Sequence, residues 1–315
     1  MSDFLEFNCI NSEASVRSKV INRFVKMSIS KWFKNVDDVH SVKKDFSNFW
    51  FPTKEFFYKL YPEIILRPEQ QAGLNMEWVF FPEYKNNPII IYLHGGGYVI
   101  GGIESHRTIA ARLAKKCQAR VLLVDYRLAP ENPFPAAVED GLAAYHWVVD
   151  NFPDDQIFIG GDSAGGGLTI ATMLAAKNKG LAMPKAAFGF SPWLDLDLRS
   201  NSLKTNVHTD YMIGKGPIAK WAQTYLAGAD ARTPLASPIY GNLAGLPPIL
   251  LHVSSSEVLR DDSLRFANLA QAEGVRCNVE VWKDQLHAFQ IVPAIIPEAE
   301  QSIQKIAEFL KTPGR

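Results

Sequence analysis

The chain has 315 residues, of which 47% are apolar, so it can bury a large core and is not disordered as a whole. Its 33 Lys and Arg residues balance its 33 Asp and Glu residues, and no excess positive charge is available for a nucleic-acid partner. Three widely spaced cysteines fit neither a disulfide framework nor a zinc ribbon, and neither a signal peptide nor a membrane span is evident. We therefore expect a cytoplasmic protein with no metal and no membrane span.

Residues 1–61 are predicted to form an N-terminal helical cap segment. Half of the 16 residues from 46 to 61 are aromatic, which would suit a lid over an apolar pocket, although ordinary helix packing explains them as well. The first helix of this segment is predicted from apolar residues at helical spacing, namely Val16, Val20, Phe24 and Met27, and we expect this apolar face to cover a neighbouring part of the fold.

From about residue 76, predicted strands alternate with predicted helices. Several strands are continuous apolar runs, which is typical of strands covered on both faces. This order predicts an α/β fold with a mostly parallel, doubly wound sheet flanked by helices. The predicted strands are Glu77–Phe81, Ile89–Leu93, Val121–Asp125, Ile157–Gly160, Ala186–Phe190, Ile249–Val253 and Cys277–Trp282.

Residues 192–230 interrupt the alternation with a helix that begins near Pro217. We interpret this stretch as a second cap segment, inserted after a core strand. The core then has two parts, 62–191 and 231–315.

The strongest motif is the G-x-S-x-G spacing of Gly161, Ser163 and Gly165, which follows a strand and opens a helix. A serine in this context sits on a strained turn and projects its hydroxyl above the strand ends, where it can act as a nucleophile. A phosphate-binding loop is the alternative, but the lysine of such a loop is absent. We therefore predict that Ser163 is the catalytic nucleophile.

A second glycine-rich stretch, His94–Gly97, directly follows the strand Ile89–Leu93. Acyl transfer builds negative charge on a carbonyl oxygen, and closely placed backbone N–H groups can stabilise it. We assign the N–H groups of Gly96, Gly97 and Ala164 as donors, and Gly95 could replace one of them. His94 is expected to support the loop through hydrogen bonds, together with Gly95, rather than to titrate.

A base and an acid must follow the nucleophile in chain order. Of the seven histidines, His287 lies in a loop just past the last predicted strand, where it can reach Ser163. The acid should follow the penultimate strand, where Glu257 is the preferred candidate. Asp261 and Asp262 stay open as alternatives, although both lie at a helix start, where acids are favoured without catalysis.

Together these residues resemble the bacterial hormone-sensitive-lipase-like family of carboxylesterases, which has the α/β-hydrolase fold. The match runs from about residue 76 to residue 290. The chain departs from many members by having glutamate at 257, where they carry aspartate, and it is similar to a branch with glutamate. The family-like motifs are His94–Gly97, Gly161–Gly166, Asp125–Glu131, Pro133–Ala137, Ser191–Trp193, Leu235–Pro238 and Leu246–Pro248.

The resulting prediction is a serine carboxylesterase without a cofactor that hydrolyses short- to medium-chain acyl esters through an acyl-enzyme on Ser163. A lactone hydrolase with the same triad is the first alternative. A non-catalytic protein that binds a small ligand on the same fold is the second, because the family includes a hormone receptor with an incomplete triad. We also expect a homodimer, because the last strand, residues 276–282, would otherwise leave an uncovered sheet edge.

Overall fold

The structure is a computed structural model that describes residues 8–10, 13–32, 42–43, 54–71, 73–292 and 295–313. The first half of the aromatic stretch 46–61 that predicted a lid lies outside these residues, and only the half from residue 54 onwards is described. In that part, Phe57 is buried against the core, while Phe56 and Tyr58 are exposed.

The described residues include nine strands, which form one sheet. The strands are β1 Asn8–Ile10, β2 Ile65–Gln71, β3 Leu74–Phe80, β4 Ile89–Leu93, β5 Arg120–Val124, β6 Ile157–Asp162, β7 Ala186–Phe190, β8 Ile249–Ser254 and β9 Cys277–Trp282. Their order in the sheet is β1-β9-β8-β7-β6-β4-β5-β3-β2. All neighbouring strands are parallel except β2 with β3 and β3 with β5, which are antiparallel. The α/β class and the mostly parallel sheet are thus confirmed.

Helices cover both faces of the sheet because the strands alternate their buried side chains between two apolar layers. The helices of the described residues are α1 Val16–Trp32, α2 Lys54–Leu60, α3 Ile103–Cys117, α4 Ala136–Asn151, α5 Ala164–Asn178, α6 Ser202–Thr205, α7 Lys215–Leu226, α8 Arg260–Ala272 and α9 Pro297–Lys311. In β4, Ile89 and Ile91 pack into the layer shared with α4, α5 and α8, and Ile90 packs into the layer shared with α3 and α9.

All seven predicted strands are present to within a few residues, whereas β1 and β2 were missed. In β2, Pro68 and charged residues interrupt the apolar pattern, and this strand forms one edge of the sheet. β1 has only three residues, too few for a periodicity to show.

Two expectations about exposed surfaces were wrong. The outer edge of β9 is not free, because β1 pairs with it in parallel, with Asn8 opposite Glu280. The edge argument for a homodimer therefore fails. In α1, the predicted apolar face points to solvent, and the opposite face packs on the core through Ile21 and Val25.

No helix within the described ranges is long and apolar enough to cross a membrane. The carboxyl ends of β4, β6, β7, β8 and β9 meet at one edge of the sheet, and the loops that leave them carry the candidate functional residues. This is the edge at which open α/β sheets place their ligands.

Candidate active site

Ser163 forms the sharp turn between β6 and α5. Its backbone has φ +52° and ψ −121°, a strained conformation for a residue with a side chain. Neighbouring backbone holds this turn, since Ser163 N–H donates to the carbonyl of Phe190 at 2.8 Å and Trp193 N–H donates to the carbonyl of Ser163 at 2.9 Å. The side chain is only partly buried, so its hydroxyl stays accessible to a ligand.

The positions two residues before and after this serine require glycine, because neighbouring main chain lies very close to them. A Cβ atom on Gly161 would lie 2.3 Å from the carbonyl oxygen of Leu93, and one on Gly165 would lie 2.0 Å from the same atom. Real Cβ atoms do not come so near to backbone oxygen, so both positions require glycine.

His287 and Glu257 lie together at the ends of β9 and β8. Nδ1 of His287 is 2.9 Å from Oε2 of Glu257, and both side chains are buried. Nε2 of His287 is also buried and makes no hydrogen bond to any described residue. The imidazole is therefore held through Nδ1, while Nε2 has no hydrogen-bond partner among the described residues.

The charges around His287 favour its protonated form. Burial by itself lowers the pKa of His287, but the hydrogen bond and charge of Glu257, with smaller contributions from Asp210 and Asp162, outweigh it. The net result is a pKa above the usual value for histidine. This environment stabilises an imidazolium formed during a proton transfer.

The loop that carries Glu257 is bound to the second cap segment by several hydrogen bonds. The side-chain amide of Asn206 donates to the carbonyls of Ser255, at 3.0 Å, and Glu257, at 2.9 Å. Oδ2 of Asp210 accepts the N–H of Val258 at 2.8 Å. Sequence reasoning missed these residues, and the available signal was the run of polar residues between positions 195 and 210.

The loop that carries His287 is held in a similar way by Ser191. Ala288 N–H donates to the hydroxyl oxygen of Ser191 at 2.9 Å, and Ser191 N–H donates to the carbonyl of His252 at 2.7 Å. Ser191 belongs to one of the family-like motifs, but its role was not predicted.

The two alternative acids have other partners. The carboxylate of Asp262 is buried and accepts the N–H groups of Leu194 and Asp195, both at 3.0 Å. Asp261 accepts the N–H of Ser202 at 2.9 Å. Neither aspartate hydrogen-bonds to His287, so the geometry favours Glu257 as its partner.

The glycine-rich loop His94–Gly97 follows β4, and we call it the oxyanion loop after the role expected for it. Its Gly96 and Gly97 lie in the left-handed region, with φ +122° and φ +61°. Gly95 N–H already has an acceptor, because it donates to Asp162 Oδ1 at 3.1 Å. Within the described part of the chain, the N–H groups of Gly96, Gly97 and Ala164 make no hydrogen bond. The geometry thus favours Gly96 and Gly97 over Gly95 as donors.

His94 supports this loop. Its Nδ1 atom is 2.8 Å from the carbonyl oxygen of Gly95, and its ring stacks on Tyr126 at 4.1 Å between centroids. Burial, with the neighbouring His106, lowers the pKa of His94 to about 3, so the ring stays neutral near pH 7. This agrees with a supporting role rather than with proton transfer.

The second cap segment contacts the oxyanion loop directly. A Cβ atom on Gly97 would lie 2.1 Å from the ring of Trp221, and Tyr225 stacks on Tyr98 at 3.8 Å between centroids. Helix α7 therefore forms one wall next to the loop that is expected to hold the oxyanion.

Among the described residues, no group of three or more His, Cys, Asp or Glu side chains is arranged to hold a metal ion. The site as described consists of a serine, an imidazole–carboxylate pair and free backbone N–H groups. These parts suit nucleophilic attack on a carbonyl group.

Comparison with known proteins supports this interpretation. A family model described as an alpha/beta hydrolase fold matches residues 90–291. An acetyl-hydrolase of Streptomyces hygroscopicus is 38% identical over 237 residues, covering 75% of this chain and 79% of that protein. An esterase of Acinetobacter venetianus is 34% identical over 250 residues, covering 79% and 82%.

Solved structures match over nearly the whole chain. A crystal structure of EstE5 soaked with p-nitrophenyl butyrate superposes with a TM-score of 0.86 at 38% identity, covering 95% of this chain and 98% of that one. An esterase from the bacterial hormone-sensitive lipase family superposes with a TM-score of 0.82 at 35% identity, covering 96% and 99%.

Proposed function

The chain belongs to the α/β hydrolase fold family, among the bacterial hormone-sensitive-lipase-like carboxylesterases, and from this premise we propose that Ser163, His287 and Glu257 are its catalytic triad. The chain is a serine carboxylesterase. The residues that perform the reaction and the esters on which they act are proposals.

In the proposed mechanism, Ser163 Oγ attacks the ester carbonyl carbon while His287 Nε2 takes the hydroxyl proton. Negative charge develops on the carbonyl oxygen and is bound by the N–H groups of Gly96, Gly97 and Ala164. The C–O bond to the alcohol then breaks, and His287 returns the proton to the leaving alcohol. Glu257 holds the imidazole through Nδ1 and balances its positive charge.

The acyl-enzyme is resolved by the same groups. His287 Nε2 takes a proton from water as the water oxygen attacks the acyl carbon, and the proton then passes to Ser163 Oγ as the carboxylic acid leaves. No step requires a metal or a cofactor, and none is proposed.

The observation that carries the assignment is the His287–Glu257 hydrogen bond of 2.9 Å beside the strained serine turn, with Nε2 of His287 unengaged. Ser163→Ala should lower kcat by about a million-fold while the protein stays folded, because the hydroxyl is the attacking group. A serine-directed phosphonate should label the wild type but not this variant. Ser15→Ala removes a hydroxyl whose partners are Glu298 and Ser18, outside the proposed site, and this variant should still be labelled.

If purified Ser163→Ala kept more than a few per cent of the wild-type activity, the assignment of Ser163 to the triad would be wrong. Absence of phosphonate labelling in the wild type would instead favour a protein that binds a small ligand without turnover.

For the substrate, we propose short- to medium-chain acyl esters. The names of two similar proteins, an acetyl-hydrolase and an esterase soaked with p-nitrophenyl butyrate, support this range. Initial rates on nitrophenyl esters from acetyl to dodecanoyl should peak at the short end of the series. Higher kcat/KM on simple lactones than on these esters would favour the lactonase alternative.

We keep the division into a cap formed by residues 1–61 and 192–230 and a core formed by 62–191 and 231–315 as a proposal. The packing of Trp221 on Gly97 supports it for the second cap segment. Cytoplasmic location and a homodimer likewise stay proposals, which cell fractionation and light scattering would test. The free, buried thiol of Cys277 suits a reducing compartment.

A further inference from the structure

Helix α1 presents an apolar stripe to solvent. The side chains of Val16, Val20 and Phe24 are 78%, 63% and 65% exposed. They are spaced four residues apart, so they form one continuous line along the helix. Single exposed apolar residues are common on protein surfaces, but a line of three on one helix face indicates a contact surface.

Positive charge borders this stripe on both sides. On the helix surface, Arg23 and Lys19 lie along one side of the line and Arg17 lies along the other. The helix sequence contains five Lys or Arg residues and no Asp or Glu, although the whole chain is neutral. Within the described residues, Arg17 and Arg23 form no ion pair, and Lys19 pairs with Glu13 at 3.0 Å.

The opposite face of α1 is fixed to the core, so the stripe is held in one orientation. The hydroxyl of Ser18 donates to Glu298 at 2.8 Å, and the amide of Asn22 donates to the carbonyl of Asp284 at 2.7 Å. Val25 is buried in the same contact. A change confined to the outer face of the helix therefore leaves these anchoring contacts in place.

We propose that the outer face of α1, defined by Val16, Arg17, Val20, Arg23 and Phe24, binds the surface of a membrane rich in anionic lipids. An apolar line bordered by cations is the arrangement that lies flat in a lipid interface. There the apolar side chains enter the acyl boundary and the arginines meet the phosphates. The helix binds at the interface and does not cross the bilayer.

The positive charge and the apolar line of this face disfavour two other binding partners, a second copy of the chain and a nucleic acid. A second copy of the chain would bring an equally positive face against it, and the arginines would repel each other. A nucleic acid would satisfy the arginines, but it would leave the apolar line without a partner. An anionic lipid surface complements both features at once.

The test is co-sedimentation of the full chain with vesicles made from equal parts of phosphatidylglycerol and phosphatidylcholine, compared with vesicles of phosphatidylcholine alone. We expect binding to the anionic vesicles that weakens as salt is raised. The double variants Val20→Ser/Phe24→Ser and Arg17→Gln/Arg23→Gln should each raise the dissociation constant at least about tenfold.

Two control variants match these changes elsewhere on the surface. Leu269→Ser alters an exposed apolar side chain on α8, and Lys116→Gln/Lys185→Gln removes two exposed charges. Both controls should bind vesicles like the wild type. Thermal unfolding midpoints within about 2 °C of the wild type would show that all variants are folded.

Several outcomes would overturn the proposal. One is equal binding to both kinds of vesicle, or none to either. Another is an affinity for anionic vesicles that Val20→Ser/Phe24→Ser leaves unchanged, in a chain that also binds heparin or RNA. That result would assign the face to a soluble polyanion. A third is a dimer in light scattering that the same double variant converts to monomer, which would assign the face to a second copy. Because vesicle binding does not require turnover, none of these outcomes bears on the triad.

Discussion

The backbone N–H of Val258 donates to Oδ2 of Asp210 at 2.8 Å, and this bond connects the loop of the proposed catalytic acid to the second cap segment. The other oxygen of the same carboxylate accepts the N–H groups of Met212, at 2.8 Å, and Ile213, at 2.9 Å. Asp210 is thus a junction between the cap and the acid loop. Its negative charge also acts on His287.

Asp210→Asn should therefore change the pH dependence of the enzyme. The charge of Asp210 contributes to raising the pKa of His287, so its removal lowers that pKa. In the proposed mechanism His287 must be neutral to accept the proton of Ser163, so the acid limb of the kcat/KM profile should move to lower pH. We also expect kcat to fall about tenfold, since Val258 loses a charged acceptor.

The profile separates an electrostatic effect from a purely structural one. If Asp210 only braced the loop, the variant would be slower at every pH and the acid limb would stay in place. Asp230→Asn, which removes a carboxylate from an exposed turn, serves as the control and should leave both the rate and the profile unchanged.

The identity of the catalytic acid can be tested with three variants. Glu257→Gln should lower kcat by roughly 10³–10⁴, because the imidazolium loses its charged partner. Asp261→Asn should lower it far less, since this side chain binds the N–H of Ser202 rather than His287. Asp262→Asn should act mainly on thermal stability, because its buried carboxylate accepts the N–H groups of Leu194 and Asp195. If either aspartate variant were folded but had a strongly reduced kcat while Glu257→Gln stayed active, the assignment of Glu257 as the catalytic acid would be wrong.

Gly97→Ala should impair the proposed oxyanion site. The new methyl group would lie 2.1 Å from the ring of Trp221, and the residue has φ +61°, so the loop must shift. We expect kcat to fall about 10²–10³-fold, similar to the loss of one oxyanion donor. Steady-state kinetics on nitrophenyl butyrate would measure this loss.

Gly180→Ala provides the matched control for this substitution. Gly180 has a similar φ of +71°, but no atom lies within 4 Å of its added Cβ. It therefore carries the same kind of backbone strain without the collision. Gly180→Ala should therefore keep the kcat of the wild type, and equal kcat in the two variants would contradict the role proposed for Gly97.

A buried ion pair near the other edge of the sheet should matter for stability. Arg107 on α3 binds Glu77 on β3 through two bonds of 2.6 and 3.1 Å, and both side chains are less than a tenth exposed. Glu77→Gln leaves the guanidinium with only the exposed carboxylate of Glu104, 3.5 Å away, as a charge partner. Losing the buried partner should cost about 3 kcal/mol in the free energy of unfolding. Denaturant unfolding would measure this loss.

An exposed ion pair on the surface provides the control for this buried one. Arg232→Gln breaks the bond to Asp197 at 2.9 Å on the surface and should leave the free energy of unfolding nearly unchanged, because water already screens these charges. A similar loss in both variants would show that burial does not govern the strength of these pairs.

The sequence by itself was sufficient for the fold class, the seven inner strands and the serine turn. The strands form continuous apolar runs, and glycines stand where the main chain must approach closely, as at Gly161 and Gly165. These are local properties of the chain, because the residues that reveal them are neighbours in sequence. The pairing of His287 with Glu257 could be proposed as well, since chain order and strand ends limit the candidates.

Other features depended on the tertiary structure. Which face of α1 packs inward was predicted wrongly, because helical spacing reveals that a stripe exists but not what lies opposite it. The pairing of β1 with β9 joins residues about 270 positions apart, and no local pattern encodes such a contact. The hydrogen bond between Asp210 and Val258 likewise joins residues that are far apart in the sequence. Its two ends lie in different segments of the chain, and only folding brings the cap carboxylate to the backbone of the acid loop.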